Sequence, residues 1–513
     1  VAYKHYPRAG GITRTSHGTH TAGTICGNDS AMGGTDARDG HSKNARLVHL
    51  SPIPSSSDNF LVVYGTITDS LRNRNIQPVT CSNSWWTLVM GQYSAKSMEV
   101  DQFLWTHRHF VMIKSCGNQG QSSQYRITEP GNSKSIISVG ALGNGTSATT
   151  LASFSSRGPA PDGRVKPEVC TPGDLIYSAQ YNTTNSYTSM SGTSMAAPSC
   201  NGSIGLIRSY LRKGFYPTGA RRSADSLRYI SGALLKAMIV VSADPNVGTY
   251  VVPSDYIGWG RFDLDSVLFF STPTVERRRL LLYDDTIGLA TGQYRDYQFT
   301  VSDGGLPLRA AVTWYDTAAA AGATRAIINN LDVRMIAPNG DSFKGNVYAN
   351  GQSVRNPTQR YDSIDVLECL RINAPNTGNW TLRVMARNVV TRPQRYAVVL
   401  TGGFPLVGIT EELVGGVRPT EMALVYGPNP SRIGGSKVRF YAPDVNKRYT
   451  LKLYDASGSL LKTLFDARLK TRGWQNINWN GCDDNNRQIP QGVYFYVLEN
   501  EDKRLSYKVI LVR

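Results

Sequence analysis

The chain has 513 residues, 40% of them hydrophobic, which suits a globular protein with more than one core and roughly two to four domains. Its net charge of +17, from 55 Lys and Arg against 38 Asp and Glu, is scattered; the densest run, ERRRLLL at 276–282, holds three arginines and reads as a solvated basic surface, so no nucleic-acid partner is expected. No apolar run reaches membrane-spanning length, since the best candidate, GALLKAMIVVSA at 232–243, is short and carries Lys236.

The first informative stretch is TSHGTHTAG at 15–23, where His17 and His20 stand three apart among small residues. They fit a metal-ligand pair, a catalytic base with a bystander, or ordinary core residues. Next, ARLVHLSPI (45–53) predicts a strand, and FLVVYGTITDSLRNR (60–74) a helix. PVTCSNS (78–84) is a strand and 97–109 a helix, with Val100, Phe103, Leu104 and His107 on one face. FVMIKSC (110–116) and SIISVGAL (135–142) are further strands. Strand–helix alternation implies a parallel sheet covered on both faces, with ligands gathering beyond the carboxyl ends of its strands. This region runs to about residue 270. From 271 to 403 strand-like pieces separated by turn signals predict an all-β module. FPLVGITEELVGGVRPTEM, within 404–423, reads as a linker. Residues 424–513 alternate apolar and polar positions, as a half-exposed antiparallel sandwich requires. The seven cysteines form no CxxC pair, which argues against a zinc ribbon or a dense disulfide framework, and most are expected to be buried.

Two stretches could carry chemistry. In MSGTSMAAPSCNG (190–202), Ser194 lies among small residues just before Cys200, Ile204, Ile207 and Leu211 at helical spacing. Gly214 stops that helix. Ser194 would therefore sit at a helix N-terminus, where orphan N–H groups favour negative charge, and Pro198 is expected within the first turn. The plainer reading is an N-cap serine. In KSCGNQG (114–120), Asn118 follows a strand between glycines, so its amide could donate to an oxyanion; a Gly-Asn turn explains the same residues.

SHGTHTAG, SCGNQG and SGTSMAAP, in that order, resemble the His, oxyanion-Asn and Ser signatures of the subtilisin-like serine proteases. FSSRGPAPDGRVKPEVCTPG (154–173) and GWGRFDLD (258–265) support the resemblance. It implies an α/β subtilisin-like parallel-sheet domain over 1–270, with His17 as general base, Ser194 as nucleophile and Asn118 as oxyanion donor. His20 is then structural, and Ser84, Trp85, Trp86 and Gly117 would line the substrate. Residues 271–403 resemble the β-jelly-roll domain of KP-43-like subtilases. Residues 424–513 resemble FlgD-type immunoglobulin-like modules, which serve as sorting domains of type IX secretion. The resemblance therefore implies a secreted or cell-surface bacterial endopeptidase, with protein or peptide substrates and the secretion machinery as partners. Chemistry by these residues needs no cofactor. Structural calcium is common in such proteins, and Asn329, Asn330 and Asp332 are candidate ligands, although turn chemistry explains them too.

Three features depart from the family pattern. The sixteen residues before His17 contain no Asp or Glu, so the acid of a Ser-His-Asp triad is missing. Asp29, Asp36 and Asp39 read as solvated loop residues. The chain starts at Val1 rather than Met, so it is expected to be an N-terminally truncated form, inactive or nearly so, with a sheet edge left open. Trp86 stands where a glycine is usual, and would either narrow the P1 pocket towards small residues or turn outward. Lys114, in an otherwise buried strand, needs a partner or a route to solvent. The rival to the protease reading is a catalytically inactive binding or surface protein on the same scaffold.

Overall fold

The structure is a computed structural model that describes residues 3–7, 15–28, 38–51, 58–73, 77–85, 87, 89–120, 126–271, 278–405, 410–412, 422–427, 431–432 and 437–512. It divides into two compact units, Val1–Val414 and Gly415–Arg513.

The first unit begins with strand β1 (Tyr3–Pro7), which pairs in parallel with β2 (Leu47–Ser51), and helix α1 (Ser16–Cys26) lies between them in sequence. Then follow α2 (Phe60–Arg72), β3 (Thr80–Asn83), α3 (Ala95–Thr106), β4 (Val111–Ser115), β5 (Ile137–Leu142) and β6 (Val169–Pro172). Strands β3 to β6 form a parallel sheet in sequence order. Every residue of β4 and β5 is buried, as expected for a sheet covered on both faces. A hairpin of β7 (Ile176–Ala179) and β8 (Tyr187–Met190) leads into α4 (Thr193–Arg212), which packs along β3, β4, β5 and β6. The expected elements are all present, within a few residues at their ends.

Pro198 is a correction. Helix α4 starts at Thr193, so Pro198 is its sixth residue and lies inside the helix rather than in the first turn.

Helix α5 (Gly232–Ser242) explains the most apolar stretch of the chain. All its residues are buried, and it packs between β4 on one side and three strands of the β-module on the other. Among the described residues, no helix is long and apolar enough to cross a membrane. Five of the seven cysteines are buried, and all seven are free.

The β-module contains β9 (Arg279–Asp284), β10 (Tyr294–Val301), β11 (Leu308–Thr313), β12 (Asn330–Ile336), β13 (Ser342–Lys344), β14 (Tyr348–Ala349), β15 (Gln352–Ser353), β16 (Leu367–Ile372), β17 (Gly378–Asn388), β18 (Ala397–Gly402) and β19 (Thr410–Glu412). Its two antiparallel sheets have the orders β13-β12-β17-β10-β19 and β16-β11-β18-β9. Alternation assigns the two faces of the second sheet. Ala310, Val312, Val398 and Leu400 face the module's own core with Trp314 and Trp380. Ala311, Ala397 and Val399 face the core that contains Leu234, Leu235 and Met238 of α5. The expected break at 270–271 therefore falls inside one compact unit. Part of the expected linker is also structured, because β19 pairs with β10 through Gln298↔Thr410 and Asp296↔Glu412.

The second unit holds β20 (Ala423–Gly427), β21 (Ser431–Arg432), β22 (Lys437–Ala442), β23 (Arg448–Asp455), β24 (Leu460–Arg468), β25 (Gly473–Asn478), β26 (Gly492–Glu499) and β27 (Arg504–Val512). Sheets of order β20-β22-β25 and β21-β27-β26-β23-β24 enclose a core that includes Phe440, Tyr449, Leu453, Trp479 and Tyr496.

A buried charge cluster lies between the parallel sheet and α5. Glu168 Oε1 accepts from Lys166 Nζ (2.6 Å) and Lys236 Nζ (2.9 Å), and Oε2 accepts from Ser138 N (2.7 Å). Lys236 also donates to Lys134 O (2.8 Å) and Ile136 O (3.0 Å). Burial pushes the Glu168 carboxyl up, but the two ammonium groups outweigh it and hold the carboxyl below its usual range. Glu168→Gln leaves two buried cations facing a neutral amide, so denaturant unfolding should show a loss of about 3–5 kcal/mol at neutral pH. The lowered pKa means this contribution is fully present above the usual carboxylate range and is lost as pH falls from that range through the lower folded-state value. Wild type and variant should converge in acid.

Candidate active site

The oxyanion-type geometry starts from Asn118, just past the carboxyl end of β4. Its Oδ1 accepts from Thr193 N (2.9 Å) and Thr193 Oγ1 (2.8 Å). A backbone N–H can only donate, so this pair fixes which end of the amide is oxygen. Thr193 Oγ1 in turn accepts from Gly117 N (3.2 Å). The amide nitrogen is thereby turned towards Gly192, the N-cap of α4. A methyl group built on Gly192 would lie 3.2 Å from Asn118 Nδ2 and 3.6 Å from Ser194 N. Two N–H donors thus converge on one space beside Gly192, at the positive end of a 20-residue helix. Gly192 has φ 153° and Gly117 φ 117°. At Gly117 a Cβ would come within 2.8 Å of Ser156 Oγ and 2.9 Å of Thr128 Cγ2, so only glycine fits there.

Ser194 is held from another direction. In an α-helix its carbonyl would accept from the N–H of residue 198, which is a proline. Ser84, just beyond β3, takes the vacant place, with its Oγ donating to Ser194 O at 2.8 Å. The proline inside the helix thereby creates the acceptor that ties the strand end to the serine.

His17 and His20 separate cleanly. His20 is buried, and its Nε2–H donates to Ile176 O (2.9 Å) and Thr188 O (3.1 Å) of the hairpin that feeds α4. At the far end of α1, Ile25 lies against Gly202 of α4, where an added Cβ would come within 2.9 Å of Ile25 O. Helices α1 and α4 therefore pack against each other. Among the described residues, His17 makes no hydrogen bond. Burial lowers its pKa below the ordinary 6.5, and nearby His20 lowers it further. No carboxylate among the described residues contributes. Asp39 pairs with Lys43 at 2.9 Å, and Asp29 and Asp36 lie outside the described residues.

The other candidates are placed as follows. Trp85 packs its indole edge-on to Phe60 (5.3 Å, 86°) and donates through Nε1 to Asn83 Oδ1 (3.2 Å), so its ring is committed to the core. Trp86 lies outside the described residues. Lys114 is fully buried beneath Trp85 and bonds to oxygens of three segments. Of the calcium candidates, Asn329 is used up by its own hydrogen bonds and Asp332 faces Arg387, while Asn330 Oδ1 is buried without a hydrogen-bond partner among the described residues. Asn329 Nδ2 donates to Thr391 O, Thr391 Oγ1 and Gln394 Oε1, and its Oδ1 accepts from Val390 N and Thr391 N. Asp332 accepts from Asn330 Nδ2 and stands 2.7 Å from Arg387 Nε, an ion-pair distance. Among the described residues, no group of three or more His, Cys, Asp and Glu is arranged to hold a metal, and His20 Nε2 is spent on carbonyls. Sequence reasoning missed Thr193 and the Ser84 bond. The signals were a threonine immediately before the serine and a proline four residues after it.

The Ser84 account predicts a specific non-additivity. Ser84→Ala strands the Ser194 carbonyl and should destabilise the chain by about 1–3 kcal/mol. Pro198→Ala restores an N–H to that carbonyl, so Ser84→Ala should cost far less in its presence. A double-mutant cycle by chemical denaturation checks this; purely additive effects would refute the exchange of donors.

The subtilase family profile, Peptidase S8, matches residues 3–260, just over half of the chain. A serine protease/ABC transporter B family protein, tagD of Dictyostelium discoideum, is 24% identical over 528 residues, covering 75% of this chain and 28% of that protein. Subtilisin DY of Bacillus licheniformis is 32% identical over 203 residues, covering 39% of this chain and 65% of its own length. Serine protease AprX of Bacillus subtilis (strain 168) is 40% identical over 113 residues, 19% of this chain and 25% of AprX. The chain spans less than two thirds of the length of each of these relatives. Among solved structures, the serine protease of Aeromonas sobria covers 75% of this chain and 81% of its own at 15% identity and a TM-score of 0.35, a likeness too small to carry an argument. With the matched stretch enclosing α1, the Asn118 turn and the start of α4, the chain belongs to the subtilase family.

Proposed function

We propose that the chain is the body of a secreted or cell-surface bacterial serine endopeptidase that cleaves peptide bonds by acyl transfer. Ser194 Oγ attacks the scissile carbonyl. His17 takes its proton and passes it to the leaving amine. Asn118 Nδ2 and the Ser194 N–H hold the oxyanion, where one such donor is worth about 10²–10³ in rate. The observation that carries this reading is the convergence of those two donors beside Gly192.

The β-module is read as a β-jelly-roll, and the second unit as an immunoglobulin-like sandwich of FlgD type that addresses the chain to type IX secretion; their two-sheet cores, antiparallel except for the β21–β27 pair, support both. A second reading, a non-catalytic binding protein, is favoured by one observation: no carboxylate among the described residues acts on His17. In subtilisin, loss of the triad aspartate alone lowers kcat by roughly 3 × 10⁴. Under the endopeptidase reading the chain as given is therefore expected to hydrolyse peptides slowly, and under the binding reading not at all.

A fluorophosphonate that labels activated serines separates the two readings. Labelling should map to Ser194, vanish in Ser194→Ala and drop sharply in His17→Ala. If wild type reacts no faster than denatured chain, the binding-protein reading stands. The neutral imidazole is the active form, so labelling should be lost on acidification, with a midpoint below 6.5 set by the lowered His17 pKa. His20→Gln should move that midpoint up.

A further inference from the structure

Lys114 is a buried cation without a bonded carboxylate. It is 0% exposed, four residues before Asn118 on β4. Its Nζ bonds to Trp85 O (2.5 Å), Ser115 O (2.8 Å), Ser115 Oγ (3.1 Å) and Thr128 Oγ1 (3.3 Å), and lies 5.1 Å from the centre of the Trp85 ring. These oxygens come from three places. Trp85 follows Ser84, the donor to Ser194 O. Ser115 leads to the Asn118 turn. Thr128 belongs to the loop whose N–H bonds to Cys116 O (3.0 Å) and whose methyl crowds Gly117. One ammonium thus draws together the segment that holds Ser194 and the segment that presents Asn118. A hydrophobic residue of the same length would fill the space but make none of these bonds.

We propose that Lys114 is a positioning residue whose protonated amine clamps the Ser84–Trp85 segment to the Asn118 strand, making the geometry of the site depend on its charge. The proposal rests on the endopeptidase reading for its effect on reactivity, though not for the clamp itself. An ammonium has three N–H groups for four oxygens. The neutral amine has two, plus a lone pair that repels carbonyl oxygen, so deprotonation strips at least one acceptor of its donor. The charge-assisted bond to Trp85 O loses most. Burial pulls the Lys114 pKa down to about 7, which brings this change into the physiological range. Two titratable groups facing it oppose that fall, Cys116 and Glu129. The Cys116 thiol is itself pushed up to about 11 by burial and is neutral here. Glu129 is buried, and no side-chain bond links it to Lys114 among the described residues.

The sign of the linkage separates the clamp from general loosening. A lysine with a lowered pKa binds fewer protons folded than unfolded, so wild type gains stability as pH rises from about 7 towards its ordinary 10.5. Site reactivity should move the other way.

Three readouts test this. In chain carrying 5-fluorotryptophan, the Trp85 ¹⁹F signal should titrate with a midpoint near 7 in wild type and not in Lys114→Met. Fluorophosphonate labelling of Ser194 should fall above that midpoint by about three- to tenfold, the worth of one hydrogen bond, and this alkaline fall should be missing in Lys114→Met. Wild type should gain stability relative to Lys114→Met over the same range. A Trp85 signal that stays flat between pH 6 and 8 overturns the clamp, even if the variant fails to fold. If Ser194 never labels but Trp85 titrates as stated, the endopeptidase reading fails and the clamp survives.

Discussion

A missing backbone N–H organises this site. Pro198 cannot donate to the carbonyl of Ser194, and that open acceptor is filled from outside the helix by Ser84. The first turn of α4 is tied a second time by Thr193, which grips Asn118 Oδ1 with both its amide and its hydroxyl. Segments leaving β3 and β4 are therefore fastened to the same helical turn. Each fastening uses a polar group that regular secondary structure leaves over at an element's end, the only kind available for such a junction.

Beneath that turn the scaffold relies on buried charge as well as apolar packing. Glu168 pairs with two lysines from different segments, and Lys134 meets Asp316 of the β-module at 2.6 Å with both side chains fully buried. Such pairs tolerate little rearrangement, because separating them leaves an uncompensated charge in a poorly polarisable interior. They fix how α5, the parallel sheet and the β-module meet. Lys114 differs from them in having only neutral acceptors.

Much of the first unit was legible because its signals are local. Strand–helix alternation and caps such as Ser231 on Leu234 N mark elements within a few residues. His20 could be told from His17 only by resemblance, because the distinguishing carbonyls lie more than 150 residues away in sequence. Pro198 was expected too early because the helix start is set at Gly192 with the help of Asn118, which is 75 residues away in sequence from Thr193. At 270–271 composition changes while packing continues across it within one compact unit. LRAAVT and AVVLTG hold apolar residues at consecutive positions, and in a strand that means burial on both faces. The orientation of Trp85 towards Phe60 had no sequence signal at all.

The shared core around α5 has a consequence for biosynthesis. Residues 232–242 find their covering surface only when 397–402 have emerged from the ribosome, some 155 residues later. At bacterial or eukaryotic elongation rates that is a delay of about 10–30 s. During this interval the most apolar helix described in the chain is only partly covered on one side, so the half with the parallel sheet waits for translation of the β-module before it can complete its interior.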